Sequence, residues 1–496
     1  MMRSRIFLLC AALSAALPVW AEEPANSEWQ LPNEKIKLRF VEDTPITFLS
    51  HNQNAAEWNN LRSYWNDAVE SGLDPKTGLT LPRKVVKIKV PLGLNPPTVP
   101  PENPPTVAKW ILGKKLYFDP ILSGNGKVSC ASCHDPKKGF TDQAKVSTGI
   151  DGQLGGISAP TVINSAYNFL QFWDGRAISL EDQAQGPVQN PIEMFDNKGT
   201  AWHRAVERVR NNKAYVQMFE KAFGTLPTRD AIAKAIATYE RTVISGNSIV
   251  DRAELAMRLR IDEDGGKAEA NAKDYEKVLR DSFAAKKWDE LKLLGIGDAA
   301  AGRIPDVAAS LARGRTLFFG KARCNSCHVA ENFTDNQFHN LGVGVKDGKL
   351  PVDSQGRFAR LPIGHKNPEL IGAFKTPTLR SLASTGPYLH DGSEETLEKV
   401  VDFYDRGGNA NEFLDPKMRD FDAEKKFEQA RAAGKKYDGP PVMIFGSDEK
   451  PIVPLKLNLT PQEKKDLVVY LLGLQGDPID PIVADPRLLA PFPGGK

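Results

Sequence analysis

The sequence predicts a mostly α-helical protein whose body is one kind of unit used twice, set behind an N-terminal extension. Three observations predict this. Helical periodicity is common and strand signals are sparse. A short pattern, Gly113-Lys-Lys-Leu-Tyr-Phe118, returns as Gly314-Arg-Thr-Leu-Phe-Phe319. A proline-rich run, Asn95-Pro-Pro-Thr-Val-Pro-Pro-Glu-Asn-Pro-Pro105, divides a polar leading stretch from the rest, and its composition favours extended polyproline geometry.

The chain opens Met-Met-Arg-Ser-Arg, continues almost wholly apolar over Ile6–Val19, and reaches Val19-Trp20-Ala21 before Glu22. Residues 1–21 therefore read as a cleaved signal peptide, which would carry Cys10 away. The apolar run is too short to span a bilayer, and no later segment approaches the required length. An exported protein with no membrane span is expected. Cleavage removes two of the 65 basic residues and none of the 62 acids, which leaves the mature chain near neutral. No overall basic footprint for nucleic acid remains. A chain of 496 residues suggests two or three domains.

Residues 22–106 form the extension and linker, with a strand-like stretch at Lys35–Phe40 and a helix near Ala55–Ser71. Asp230–Ser245 carries Ile232, Ile236 and Tyr239 on one helical face. The charged stretch Asp251–Leu294 reads as helices on a solvent-facing insertion. Ser393–Tyr404 reads as a helix capped by Ser393, with Glu394 and Glu395 in its first turn and Gly407-Gly408 ending it. Its apolar face is Leu397, Val400, Val401 and Tyr404. The helix after Thr460 has Pro461 at its first position and Glu463 completing a capping box.

Four of the five cysteines fall in two identical frames, Cys130-Ala-Ser-Cys133-His134 and Cys324-Asn-Ser-Cys327-His328. C-x-x-C-H is the attachment signature of c-type haem. The two thiols form thioethers with the haem vinyl groups, and the adjacent histidine reaches the iron. Paired zinc knuckles lie roughly 15–20 residues apart, whereas these pairs lie in opposite halves of the chain. A redox-active C-x-x-C needs no following histidine. Two covalently bound haem c groups are expected. The repeated units then read as two cytochrome-c-like haem domains related by duplication, at 107–303 and 304–496. Because c-type haem is attached outside the bacterial inner membrane, the periplasm is the expected location.

Further stretches carry a family resemblance. Leu112-Gly-Lys-Lys-Leu-Tyr-Phe-Asp-Pro120, Ala159-Pro-Thr-Val162, Phe172-Trp-Asp-Gly-Arg-Ala177 and Gly186-Pro-Val-Gln-Asn-Pro-Ile-Glu-Met194 resemble the peroxidatic half of bacterial di-haem cytochrome c peroxidases. Phe374-Lys-Thr-Pro-Thr-Leu-Arg380 and Thr385-Gly-Pro-Tyr-Leu-His-Asp-Gly-Ser393 resemble their C-terminal half. The resemblance spans roughly residues 107–476 and leaves the extension uncovered. It implies that Glu193 and Gln183 stand over the open haem, where a carboxyl group moves a proton between the oxygens of peroxide. It also implies that Trp173 lies between the haems. The alternatives are a surface carboxylate for Glu193 and ordinary core packing for Trp173.

Two departures from the family matter. Many members carry a histidine after the first haem motif that caps the peroxidatic iron; here Ile150 takes that place, so an open first haem is expected. Where many members place a methionine after His-Asp-Gly, counting on from His390 gives Tyr404. That resembles the His/Tyr, MauG-like branch of the family, in which an anionic phenolate favours the more oxidised iron. Tyr404 as a plain core residue, and Met418 as ligand instead, are the alternatives. Thr385 and Pro387 match carbonyl positions that bind calcium in the family, but Ser158 stands where an asparagine ligand is usual. His203, His339, His365 and His390 are expected to be structural or beside haem propionates, and His51 carries no signal.

The function implied is a periplasmic di-haem peroxidase that reduces hydrogen peroxide through high-valent haem iron, with electrons from an external donor protein. One alternative is a MauG-like enzyme that oxidises tryptophan or tyrosine of a partner protein. Another is a non-catalytic di-haem electron carrier, which needs both irons closed. A homodimer is compatible with all three.

Overall fold

The computed structural model describes residues 43–74, 77–351 and 354–488. The signal peptide, Cys10 and the Lys35–Phe40 stretch lie outside the described residues. Helices account for 42% of the structure, so the expectation of a mostly α protein holds.

The extension contains more strand than expected. Strand β1 (Ile46–Ser50) is followed by a short helix α1 (Ala55–Asn60), then β2 (Trp65–Leu73) and β3 (Thr80–Val90). β3 is central, parallel to β1 and antiparallel to β2. The helix expected over Ala55–Ser71 therefore stops at Asn60. From Trp65 onward side chains alternate between half-buried and exposed, because the backbone pairs with β3, and cross-strand pairing overrides local helix preference. The sheet shares one apolar cluster with the body: Ile46, Trp65, Val86 and Ile88 pack with Trp110, Tyr117, Phe140 and Tyr239.

The body opens with α2 (Val107–Phe118), the short haem-motif turn α3 (Cys130–Cys133), and the single-turn helices α4 (Leu180–Gln183) and α5 (Gly186–Gln189). Helices α6 (Ala201–Arg210), α7 (Lys213–Phe223) and α8 (Arg229–Glu240) follow. Helix α8 packs across α2. The crossing is close because of Gly113: a Cβ there would fall 1.8 Å from the Ala235 carbonyl oxygen.

Next come α9 (Ile249–Asp264), α10 (Ala272–Ala284), α11 (Trp288–Leu293) and α12 (Ile304–Phe319). The stretch Asp251–Leu294 is not a solvent-facing insertion. Met257, Tyr275, Val278, Leu279 and Leu291 are buried in one cluster with Leu311, Phe318, Leu467 and Tyr470. Some of its charges, such as Lys277 and Asp281, are exposed, while Asp251 and Asp274 are buried in ion pairs with Arg380 and Arg260, and one apolar stripe per helix suffices to dock it. A division at residue 303 therefore cuts through a shared core.

The C-terminal half continues with α13 (Arg357–Arg360), α14 (Leu397–Asp405), α15 (Phe421–Ala432) and α16 (Pro461–Leu472). The capping box at Thr460 and Glu463 is present. Helix α14 starts later than expected. Thr396, not Ser393, caps it, because Ser393 turns with Asp391, and Tyr388 pairs its N–H with the Glu394 carbonyl. Helix α16 crosses α12 at Gly314, where a Cβ would fall 2.2 Å from the Asp466 carbonyl oxygen. The repeated glycine thus marks the same kind of helix crossing in both halves.

Candidate functional site

Each C-x-x-C-H frame forms a tight turn. In the first, Ser129 and Ser132 close a capping box around Cys130–Cys133. In the second, Cys324–Ser326 form a single turn. The thiols stand for the thioether sulfurs of the haem-bearing protein. Burial pushes Cys133 up to about 11 and Cys324 to about 12, and it raises Cys130 further, so none is a thiolate nucleophile.

The two histidines are held alike. His134 Nδ1 pairs with the Phe140 carbonyl at 3.3 Å, and His328 Nδ1 with the Phe333 carbonyl at 2.9 Å. Both phenylalanines have positive φ, 56° and 50°. This bond fixes the tautomer and leaves Nε2 to ligate a metal. Burial lowers both imidazoles, His328 to about 4. A metal-ligating histidine must be neutral, the form that this burial favours. Haem fits the second site further. A large cavity joins Cys324, Cys327 and His328 to Leu379, Leu382, Val400, Val401, Leu467 and Leu471, and Tyr404 lines it too. The face foreseen on α14 is the face that meets this cavity.

Tyr404 is held above its usual range by burial and by the nearby cysteines. Met418 lines the same cavity. Trp173 lines it from the N-terminal half, with its indole N–H donating to the Ser158 carbonyl at 3.0 Å and its own carbonyl accepting from the Lys375 N–H at 2.8 Å. His390 stacks on Phe374, with centroids 3.5 Å apart, and meets Trp173 edge-on at 6.3 Å. Trp173 therefore bridges the halves.

Glu193 follows α5. Burial raises its carboxyl, while Arg176 and a hydrogen bond from Asn190 pull it down. Asn190 Nδ2 donates to Glu193 Oε1 at 2.6 Å. Glu193 in turn raises the thiols of Cys130 and Cys133, a smaller effect than that of burial. Gln183 ends α4 half-buried, and its side chain is not the partner of Glu193. Asn190 takes that role and was missed by the sequence reading; the only signal was an amide three residues before the acid. Ile150 is fully buried among Leu112, Val188 and Met194.

The Ser158 hydroxyl donates to the Leu389 and His390 carbonyls, both at 3.2 Å. It thus ties Ser158 to the segment that carries Thr385 and Pro387. His339 lies between Asp335 and Asp415, at 2.9 and 2.7 Å, and these carboxylates raise it to about 11 against burial. Cys327, Asp335 and His339 come within 4.8 Å of one another; a thioether-bonded Cys327 removes them as a metal set. His365 is exposed.

Among the described residues no helix is long and apolar enough to cross a membrane. Residues 107–257 match the family described as di-haem cytochrome c peroxidase. The chain is 33% identical to the methylamine utilization protein MauG of Methylorubrum extorquens over 66% of its own length and 77% of that protein. It is 32% identical to a cytochrome-c peroxidase, IdrP1, of Pseudomonas sp. strain SCT over 64% of its length and 77% of the relative. The crystal structure of a MauG-like protein associated with microbial copper homeostasis matches with a TM-score of 0.55 at 27% identity, covering 80% of this chain and 97% of that one. With two haem-attachment turns in a fold of this kind, the chain is an oxidoreductase that belongs to the di-haem cytochrome c peroxidase family.

Proposed function

We propose that the chain is a periplasmic peroxidase of the His/Tyr branch, acting on hydrogen peroxide at its N-terminal site. Cys130, Cys133 and His134 hold one haem; Cys324, Cys327, His328 and Tyr404 hold the other. Bound haem supplies a redox-active iron in each half. The observation that carries the reading is Ile150, apolar and fully buried at the position that the family resemblance aligns with an axial histidine.

Glu193 then has a defined task. Its buried carboxyl, steered by Asn190, would take the proton from one peroxide oxygen and return it to the other, while bound haem would supply the electrons for O–O cleavage. Burial supports this role because a carboxyl raised above its ordinary range both accepts and gives a proton more readily near neutral pH. Gln183 is assigned to the same pocket as a polar wall. Trp173, pinned at both its indole and its carbonyl, offers a fixed aromatic bridge between the halves. The electrons come from an external donor protein. The shared Phe140 and Phe333 arrangement supports an origin of the two halves by duplication, and residues 1–21 support export.

The resting ferric spectrum of the mature protein tests this. A high-spin component beside a low-spin one is expected. Two low-spin haems, inert to peroxide, would overturn the reading in favour of an electron carrier.

A further inference from the structure

Glu240 is the last residue of α8 and only 6% exposed, and its Oε2 has no hydrogen-bond partner. Buried polar atoms are nearly always paired, so an orphan asks for an explanation. Its surroundings offer none. Arg241, next in sequence, gives its guanidinium to Glu181 of α4 at 2.6 and 2.9 Å. Tyr117 of α2 gives its hydroxyl to the His134 carbonyl at 2.8 Å, and Tyr239 gives its own to the Val483 carbonyl at 3.0 Å. The end of α8 lies beside the first haem turn: the Tyr239 ring packs 4.9 Å from that of Tyr117, and Cys130 packs against the same apolar cluster. A buried acid with an unpaired carboxylate oxygen thus stands near the attachment turn of the first haem, and its charge raises the Cys130 thiol. Burial lifts it to about 8, with Arg241 opposing and Glu181 adding.

We propose that Glu240 exchanges a proton in step with the first haem, releasing it when the iron there loses an electron and recovering it when the iron is reduced. This rests on the reading of Cys130 as a haem attachment. On oxidation the electron passes to an external acceptor, the Glu240 O–H bond breaks, and the proton goes to solvent. The charge of the pocket is then unchanged, which matters where the local dielectric is low. Reduction reverses each change. The coupling is reciprocal: a carboxylate at Glu240 stabilises the oxidised haem, so the potential falls as pH rises through the Glu240 range and is level beyond it.

Spectroelectrochemical titration of the holoprotein from about pH 6 to about pH 10 tests the linkage. Wild type and Glu240→Gln are compared after haem content is read by mass. In wild type the first-haem potential should fall across the Glu240 range. In Glu240→Gln that fall should vanish, with the second haem unchanged. The Glu193 contribution is common to both proteins and cancels. Equal pH dependence in the two would overturn the proposal while leaving the peroxidase reading standing. A chain without two covalent haems would overturn the site reading and this proposal with it. Should Glu240→Gln not mature, redox-triggered infrared difference spectra in a Glu193→Gln background decide. Loss of a protonated-carboxyl band on oxidation supports the proposal, and no carboxyl change overturns it.

Discussion

The backbone N–H of Ile150 donates to the carbonyl of Glu193 at 2.9 Å. The position that the family resemblance aligns with an axial histidine is thus joined directly to the backbone of the candidate acid. Gly149 makes this possible, since a Cβ there would fall 1.9 Å from the Ile192 carbonyl oxygen. Ile150 fills the core and Glu193 is fixed by the same contact. Proton transfer at Glu193 then needs no prior rearrangement of this segment.

Glu193→Gln keeps Oε1, and therefore the Asn190 contact, but removes the ionisable proton. The peroxide reaction should slow by about 10²–10⁴-fold, the usual scale of general acid–base catalysis, with both haems still attached. The wild-type rate should also fall as pH drops through the Glu193 range, because the acceptor form is lost. Burial places that fall above the ordinary 4.5. The variant should lack it. Stopped-flow spectra against pH check both points, and an unchanged rate removes Glu193 from the chemistry.

Tyr404→Met replaces a phenol with a thioether in the cavity that His328 lines. Thioether ligation favours ferrous iron, so the potential of the second haem should rise while that of the first stays put. A redox titration reads both. Unchanged values would show that Tyr404 is only the last core residue of α14, and Met418 would become the residue to replace.

The haem turns and the face of α14 were legible because they depend on residue type and spacing within a few residues. The glycine repeat was legible as a pattern, though its cause lies in a partner helix some 120 residues along for Gly113, at Ala235. The β2 strand was misread because its pairing with β3 decides it, not its own preference. The stretch Asp251–Leu294 was misread because a high charge count hid Tyr275, Val278 and Leu279, which dock against α12. Asn190 was missed because a hydrogen bond three residues long leaves no periodic trace.

Gly113→Ala and Gly314→Ala should each destabilise the protein by about 1–3 kcal/mol or more, as overpacked cores do. In each case the obstacle is a backbone carbonyl, of Ala235 or of Asp466, which cannot turn aside as a side chain can. Gly297→Ala is the control, because a Cβ there meets nothing within 4 Å. Denaturant midpoints of the three holoproteins should rank the control near wild type. A neutral Gly113→Ala would mean that α2 and α8 slide apart at little cost.

Arg380 and Asp251 form a paired contact at 2.8 and 2.9 Å with side chains only 1% and 6% exposed. Arg380 also donates to the Gly93 carbonyl at 3.0 Å and to the Glu331 carbonyl at 2.8 Å. It thereby ties the extension, α9 and the loop that ends at Phe333, the acceptor for His328 Nδ1. Asp251→Asn should cost about 3–5 kcal/mol, because it strands a buried guanidinium. The loss should also appear in the second haem's spectrum, since the loop that orients His328 loses its anchor, while the first haem's bands stay unchanged. A double replacement, Asp251→Leu with Arg380→Met, removes the stranded charge and should recover most of the stability. Thermal unfolding followed at both haem bands distinguishes the outcomes. If the double variant is no more stable than Asp251→Asn, the hydrogen bonds to Gly93 and Glu331, rather than the ion pair, hold the three segments together.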